Sequence, residues 1–138
     1  MSGKVGAEDL SGDWLGFYNY SLPGPPTQFE ATIRDAGGLI TGITTEIGDS
    51  PDCQGMVLQA VIEGRREGAI LRFVKTYDYL ERAPDPVRYE GIIQAEGAEV
   101  EGRWTIRRVW SGTFMMMRRR REAAEEAIKV EEELPLDR

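Results

Sequence analysis

The stretch Glu99-Val100-Glu101-Gly102-Arg103-Trp104-Thr105-Ile106 decides the fold class, because apolar or small residues alternate in it with charged or polar ones. A period of two is typical of a β-strand that buries one face and exposes the other. Similar runs recur at intervals of about 10 to 15 residues, separated by clusters of Gly, Pro, Asp and Ser. The pattern predicts eight strands, over residues 13–20, 28–34, 39–47, 56–63, 69–77, 87–94, 99–106 and 110–118.

The connections between these runs alternate in length. Those after the second, fourth and sixth runs are short and contain glycine, over residues 35–38, 64–68 and 95–98. Those after the first, third and fifth runs are longer and contain proline, over residues 21–27, 48–55 and 78–86. Successive connections of a meander lie at opposite ends of the sheet, so we predict an all-β, eight-stranded antiparallel up-and-down barrel shaped like a cup.

Composition excludes several classes of function. The 138 residues fit a single domain, and 24 acidic against 17 basic residues give a net charge of −7. This charge argues against nucleic acid or an anionic membrane as the main partner. The absence of histidine excludes Ser-His and Cys-His catalytic pairs, histidine-ligated haem and histidine zinc sites. We therefore expect neither a metal nor a cofactor.

The chain has the features of a cytoplasmic protein. Its one cysteine, Cys53, has no partner for an internal disulfide and is interpreted as an inert loop thiol. The first residues lack the apolar core of a signal peptide, and no stretch has the roughly 18 apolar residues of a membrane span. We predict a flexible N-terminus over residues 1–9, the barrel over 10–118, and a charged helical tail over 119–138.

Two motifs lie where the ends of the barrel would meet. Gly12-Asp13-Trp14 opens the first strand, and Arg118 ends the last. This pairing resembles the calycin superfamily of lipocalins and avidins, and especially its small cytoplasmic bacterial members of unassigned function. The resemblance implies a ligand-holding barrel with Trp14 at the closed end and Arg118 packed across it. Because strands one and eight are neighbours in a closed barrel, we expect a cation–π contact worth about 0.5–2 kcal/mol.

Strand alternation and direction bring aromatic residues and one lysine to the open end. The candidate ligand-binding residues are Tyr18, Tyr20, Lys75, Tyr77, Tyr89, Trp104 and Trp110. Tyrosine and tryptophan combine flat apolar area with a hydrogen-bonding group, which suits a flat, lipophilic ligand. Lys75 is expected at the rim with its amine in water; the alternatives are contact with a ligand carboxylate or, if burial lowers its pKa, a Schiff base. Inward glycines leave space for a cavity or mark bends in the sheet, at Gly16, Gly91, Gly102 and Gly112.

Three classes of function remain open from the sequence. The leading hypothesis is non-catalytic binding of a small lipophilic or aromatic molecule in the cup. The first alternative is a cyclase or isomerase that uses the cavity as a template, with Lys75, Tyr77 and Tyr89 as candidate catalytic residues. The second is a protein-interaction module, including a homodimer, since Leu15 and Phe17 point outward and form an apolar patch.

Overall fold

The computed structural model describes residues 9–20, 24–48, 53–78 and 85–119. Eight antiparallel strands form a closed barrel in sequence order, which confirms the predicted fold class. The strands are β1 (Gly12–Tyr20), β2 (Thr27–Ala36), β3 (Leu39–Ile47), β4 (Val57–Glu67), β5 (Ile70–Tyr77), β6 (Val87–Gln94), β7 (Glu99–Ile106) and β8 (Trp110–Arg118). The predicted flexible N-terminus and helical tail lie outside the described residues, apart from Asp9 and Arg119.

The barrel closes where β8 pairs with β1. Their register runs from Trp14 opposite Arg118 to Tyr20 opposite Gly112. The connections β2–β3, β4–β5 and β6–β7 lie at one end, together with the start of β1 and the end of β8. The β2–β3 turn is a tight hairpin through Gly37 and Gly38, whose positive φ angles of 65° and 99° suit glycine. The four other connections frame the opposite, open end.

The predicted inner faces are the buried faces. On β2 the side chains of Phe29, Ala31 and Ile33 are buried while their sequence neighbours are exposed. The same alternation holds on β6, where Val87, Tyr89, Gly91 and Ile93 face inward. The core also contains Leu10, Trp14, Ile40, Ile62, Leu71, Phe73, Val100, Trp104, Phe114 and Met116. Burial of one face of a period-two pattern is the main force that sets the strand register.

Strand β4 continues four residues beyond its predicted end. Gly64 was expected to begin a turn, but it lies inside the strand, opposite Phe73 of β5. A side chain on Gly64 would collide with the carbonyl oxygen of Arg72, so this glycine permits a close approach of two strands. The turn itself lies at Gly68 and Ala69.

Inward glycines make room for the protein's own aromatic rings. A Cβ at Gly16 would collide with the ring of Phe29, and one at Gly112 would lie 2.7 Å from the ring of Trp104. Below the open end, Tyr89 stacks on Phe73 with ring centroids 4.7 Å apart and meets Phe114 edge-on at 4.8 Å. Gly16 therefore makes space, which the ring of Phe29 fills. At Gly102 and Gly112 a Cβ would first collide with the carbonyl oxygens of Glu90 and Asn19, so these two glycines permit a close approach of neighbouring strands.

Trp14 and Arg118 meet at the closed end as predicted. The Arg118 guanidinium carbon lies 4.8 Å from the centroid of the Trp14 ring. The guanidinium also donates hydrogen bonds to the carbonyl oxygens of Gly97, Ser11 and Asp9, at 3.2, 2.7 and 2.6 Å. The Trp14 indole donates to the carbonyl oxygen of Leu10 at 2.9 Å. These contacts fasten the segment before β1 across the bottom of the barrel.

A buried carboxylate, absent from the sequence-based predictions, strengthens the same end. Asp35 accepts hydrogen bonds from the backbone N–H groups of Leu10 and Gly38, at 2.9 and 2.8 Å. It also forms a 2.6 Å ion pair with Arg66, and its side chain has no exposed surface. Burial opposes ionisation, but these hydrogen bonds outweigh it and hold the pKa of Asp35 below its ordinary value. The hydrogen bonds also hold the β2–β3 turn and the entry to β1 together.

Candidate functional site at the open end

The open end carries an aromatic recess of about 440 Å³. It is formed where β1, β5 and β7 end and β6 and β8 begin. The described lining residues are Tyr20, Tyr77, Asp85, Val87, Ile106, Arg107 and Trp110. Tyr20 is 54% exposed and Trp110 57% exposed, so both present ring surface to solvent. Asp85 and Arg107 form an ion pair of 3.4 Å at the edge, which adds a polar rim to an apolar floor.

Trp104 lies directly beneath this recess. Its ring meets Tyr20 edge-on at 5.1 Å and Tyr18 edge-on at 6.3 Å. Its indole N–H donates to the carbonyl oxygen of Asn19 at 3.0 Å, so its one polar group is satisfied within the barrel. Trp104 therefore supports the recess from below, while Tyr20 and Trp110 contribute its accessible surface.

A buried polar network lies below the recess and is centred on Glu46. One carboxylate oxygen, Oε1, accepts hydrogen bonds from Lys75 Nζ and from the Tyr77 hydroxyl, each at 2.9 Å. The other, Oε2, accepts from the Tyr18 hydroxyl at 2.5 Å. Glu46 is only 7% exposed, so these three donors replace the water that would otherwise solvate its carboxylate.

Aromatic rings enclose the ammonium group of Lys75. Its Nζ atom lies 4.6 Å from the ring centroid of Phe29, 4.9 Å from Tyr77, 5.1 Å from Tyr18 and 5.7 Å from Tyr89. Each ring lies within the distance at which its π face attracts a cation. Lys75 has 0% exposure, so the prediction of a rim lysine with its amine in water is wrong. The carboxylate of Glu46, on a strand two positions away, is what allows the amine to stay inside.

Burial changes the titration of these groups in opposite directions. It lowers the pKa of Lys75, and the nearby charge of Glu46 offsets this only in part. Burial, together with the Glu46 charge, raises the pKa values of Tyr18 and Tyr77 above their ordinary value. Both phenols therefore stay protonated at neutral pH and act as hydrogen-bond donors to Glu46.

Three strands that run toward the open end supply the network. Tyr18 is on β1, Glu46 on β3, and Lys75 and Tyr77 are on β5. Strand alternation places each of them on the inner face near the end of its strand. Sequence reasoning found Tyr18, Lys75 and Tyr77 but missed Glu46. The sequence did contain a signal for Glu46. It is an even number of residues from Ile40 on β3, so both side chains lie on the inner face, and Glu46 is thereby placed inside at the level of Lys75.

The structure separates the predicted ligand-binding residues into four groups, with Tyr77 in two of them. Tyr20, Tyr77 and Trp110 line the recess. Tyr18, Lys75 and Tyr77 belong to the buried network, while Trp104 supports the recess from below. Tyr89 lies deeper, stacked within the core, where burial raises the pKa of its hydroxyl.

One polar group on the inner face is unsatisfied. The Thr44 hydroxyl is buried on β3 between Ala31 and Ala60, and it has no hydrogen-bond partner among the described residues. It lies two residues from Glu46 along the same inner face. A buried hydroxyl without a partner costs stability, so this is a weak point of the polar interior.

A larger recess, of about 800 Å³, lies on the outer face of β4 to β7. Its charged side chains have both signs, and Arg72 contacts Glu90 at 3.0 Å and Glu67 at 3.6 Å. These residues are exposed, so their ion pairs contribute little stability and mark a solvated face. We assign the candidate site to the smaller recess, because it adjoins the buried titratable groups.

Apolar residues also occur on the outer surface. Leu15 and Phe17 point outward as predicted but are half-buried. A more exposed set lies on β3 and β4, where Ile43 faces Val61 and Ile47 faces Val57. Cys53, in the connection between these strands, has a buried thiol.

Two further features are absent from the described residues. Within 9–20, 24–48, 53–78 and 85–119, no group of histidine, cysteine or acidic side chains is arranged to hold a metal ion. Across the same ranges, no helix has the length and apolar character needed to cross a bilayer.

The fold resembles that of a redesigned β-barrel. That solved structure superimposes with a TM-score of 0.66, over 80% of this chain and 92% of its own, at 12% sequence identity. At this identity the similarity concerns the fold alone. A scan of protein-family models and a search of curated proteins gave no match.

Proposed function

We propose that this protein binds a small, flat and partly apolar molecule at the open end of its barrel, without transforming it. The supporting observation is the recess in which Tyr20, Tyr77 and Trp110 present aromatic surface beside the Asp85–Arg107 ion pair. Rings of this kind gain free energy when a flat ligand covers them, and the polar rim orients groups on that ligand. The volume of about 440 Å³ falls within the ordinary range for small-molecule sites.

The proposed site is shallower than a hollow cup. Phe29, Phe73, Tyr89 and Phe114 pack the interior below it, and the Glu46 network fills the level between. A ligand would therefore lie across the mouth, with its edge toward the Tyr77 hydroxyl, rather than descend to Trp14. Kinship with the calycins is part of this proposal, supported by the up-and-down barrel and by the Trp14–Arg118 contact.

The three tryptophans provide a direct test. Their indole N–H groups give three separate NMR signals, from Trp110 in the recess, Trp104 beneath it and Trp14 at the closed end. Titration with 2-naphthalenemethanol should shift the Trp110 signal most, Trp104 less, and Trp14 not at all. Equal shifts of all three signals, or none, would contradict the proposal.

A pair of variants adds a quantitative control. Trp110→Ala should weaken binding about tenfold, equivalent to about 1.4 kcal/mol, because it removes one wall of the recess. Val109→Ala changes the neighbouring residue, which is 73% exposed and does not line the recess, and should leave affinity unchanged. Equal affinity in the two variants would place the binding site elsewhere.

Catalysis as an isomerase or cyclase is the second candidate function. It is favoured by one observation: an amine and a phenol, Lys75 and Tyr77, share a single oxygen of Glu46, which is a short route for a proton. Once a natural ligand is identified, recovery of that ligand after incubation separates the candidates. An unchanged molecule supports binding, and a product absent with Lys75→Arg supports catalysis.

A further inference from the structure

The amine of Lys75 lies one aromatic ring beneath the recess. The Tyr77 ring lines the recess, and its centroid is 4.9 Å from Lys75 Nζ. Tyr77 and Lys75 also donate to the same oxygen of Glu46, each at 2.9 Å. A ligand seated on Tyr77 would therefore have only this side chain between itself and a primary amine.

We propose that Lys75 captures ligands that carry an aldehyde, by forming a Schiff base with them. This inference rests on the proposed function, since the recess must first hold the ligand over Tyr77. The Tyr77 side chain would turn toward the recess and admit the aldehyde group to Nζ, while the flat part of the ligand stays on Tyr20 and Trp110. The ligand class is thus an aldehyde on a small, flat, apolar framework.

The residues around Nζ supply what the reaction needs. Glu46 takes a proton from the Lys75 ammonium, and the freed nitrogen lone pair attacks the carbonyl carbon, forming the C–N bond. The carbonyl π electrons move to oxygen, which takes a proton from the Tyr77 hydroxyl. The nitrogen then passes its second proton to the Tyr77 phenolate, which restores the phenol, and Glu46 gives its proton to the new hydroxyl. The C–O bond breaks, the oxygen leaves as water, and the nitrogen lone pair forms C=N. One ammonium and one aldehyde give one protonated imine and one water, without a change of oxidation state.

The environment of Lys75 favours this chemistry over that of an ordinary surface lysine. The rings of Phe29, Tyr18 and Tyr77 exclude water, which otherwise competes for the imine carbon. Burial also lowers the pKa of Lys75, so more of its amine is neutral at a given pH. The Glu46 carboxylate lies beside the nitrogen and stabilises a protonated imine once it has formed.

The chain makes the test selective, because it contains only three lysines, Lys4, Lys75 and Lys129. The intact protein is incubated with 2-naphthaldehyde and sodium cyanoborohydride, and the reduced adducts are mapped by peptide mass spectrometry. We expect Lys75 to be modified at least about tenfold faster than Lys4 or Lys129, because the recess holds the aldehyde close to its amine. Modification of Lys75 no faster than that of the other two lysines would overturn the inference.

The alcohol and a conservative variant separate this inference from the proposed function. If 2-naphthalenemethanol shifts the Trp110 signal but 2-naphthaldehyde does not modify Lys75, the covalent step is wrong and the binding site stands. If neither compound shifts Trp110, the proposed function fails and the inference fails with it. Lys75→Arg keeps a cation beside Glu46 and should bind the alcohol while forming no adduct at position 75. If this variant does not fold, the comparison among the three wild-type lysines still decides.

Discussion

The two ends of the barrel each bury a carboxylate, but they hold it in different ways. At the closed end, Asp35 accepts from two backbone N–H groups and from Arg66, so its donors are fixed by the strands and the turn. Near the open end, the donors to Glu46 among the described residues are the side chains of Lys75, Tyr77 and Tyr18. Backbone donors make Asp35 part of the framework, whereas the donors to Glu46 are side chains with rotatable bonds.

The largest expected effect comes from Asp35. Asp35→Ala removes the ion pair with Arg66 and the acceptor of two backbone N–H groups, and should cost about 3–5 kcal/mol of unfolding free energy. Urea denaturation measures this loss. Asp13→Ala is the control, since Asp13 is exposed and accepts a side-chain bond from Thr32, so its removal should cost less than about 1 kcal/mol. Similar losses for the two variants would show that Asp35 is not a structural centre.

Lys75 and Glu46 should show strong coupling. Lys75→Met leaves a buried carboxylate without its cation and should cost about 3 kcal/mol. Adding Glu46→Gln to this variant removes the unpaired charge, so the double variant should be at least about 1 kcal/mol more stable than the sum of the two single losses predicts. Denaturation of all four proteins completes the cycle. Strict additivity would mean that the pair is not coupled.

Arg118 should have a smaller effect than either buried carboxylate. Arg118→Lys keeps the charge over Trp14 but loses the planar donor group that reaches three carbonyl oxygens, and should cost about 1–2 kcal/mol. Arg119→Lys is the matched control at the neighbouring position, because the Arg119 side chain is 46% exposed and pairs with Glu30 at 3.5 Å. In thermal unfolding, the unfolding free energy of this control should differ from that of the wild type by less than about 0.5 kcal/mol.

The smallest expected effect is a change in pH dependence. The pKa of Asp35 is lower in the folded protein than in the unfolded chain. As pH falls below about 3.9, Asp35 is therefore protonated in the unfolded chain before it is protonated in the folded protein. The stabilisation by Asp35 is therefore complete above that value and is lost as pH falls through the folded pKa. The stability difference between wild type and Asp35→Asn should narrow in this acid range. A difference that stays constant from neutral to acid pH would contradict the assignment.

The sequence predicted the strands and the closure of this barrel better than it predicted the buried polar network. Strand alternation is a local property, so the inner faces of β2 and β6 and the ends of most strands followed directly from the pattern. The Trp14–Arg118 contact followed from closure, since the first and last strands must be neighbours. The end of β4 was wrong because Gly64 was interpreted as a turn residue, and the need for a glycine there depends on how closely β5 approaches.

The polar interior depended on contacts between strands that are distant in the sequence. On β3 the exposed residues Leu39, Ile43 and Ile47 are more apolar than most residues of the inner face. The hydrophobic pattern therefore does not indicate that Glu46 points inward. When Glu46 is not recognised as an inward residue, no partner is apparent that would stabilise a buried Lys75. The pair is 29 residues apart, and only the barrel brings Nζ within 2.9 Å of the carboxylate.

The pairing of β8 with β1 has a consequence for recognition of other polypeptides. Among the described residues, every strand has a hydrogen-bonded neighbour on both sides. An incoming peptide therefore finds no free strand edge on which to extend the sheet. A protein that docks on the eight described strands would therefore contact their side chains rather than extend the sheet.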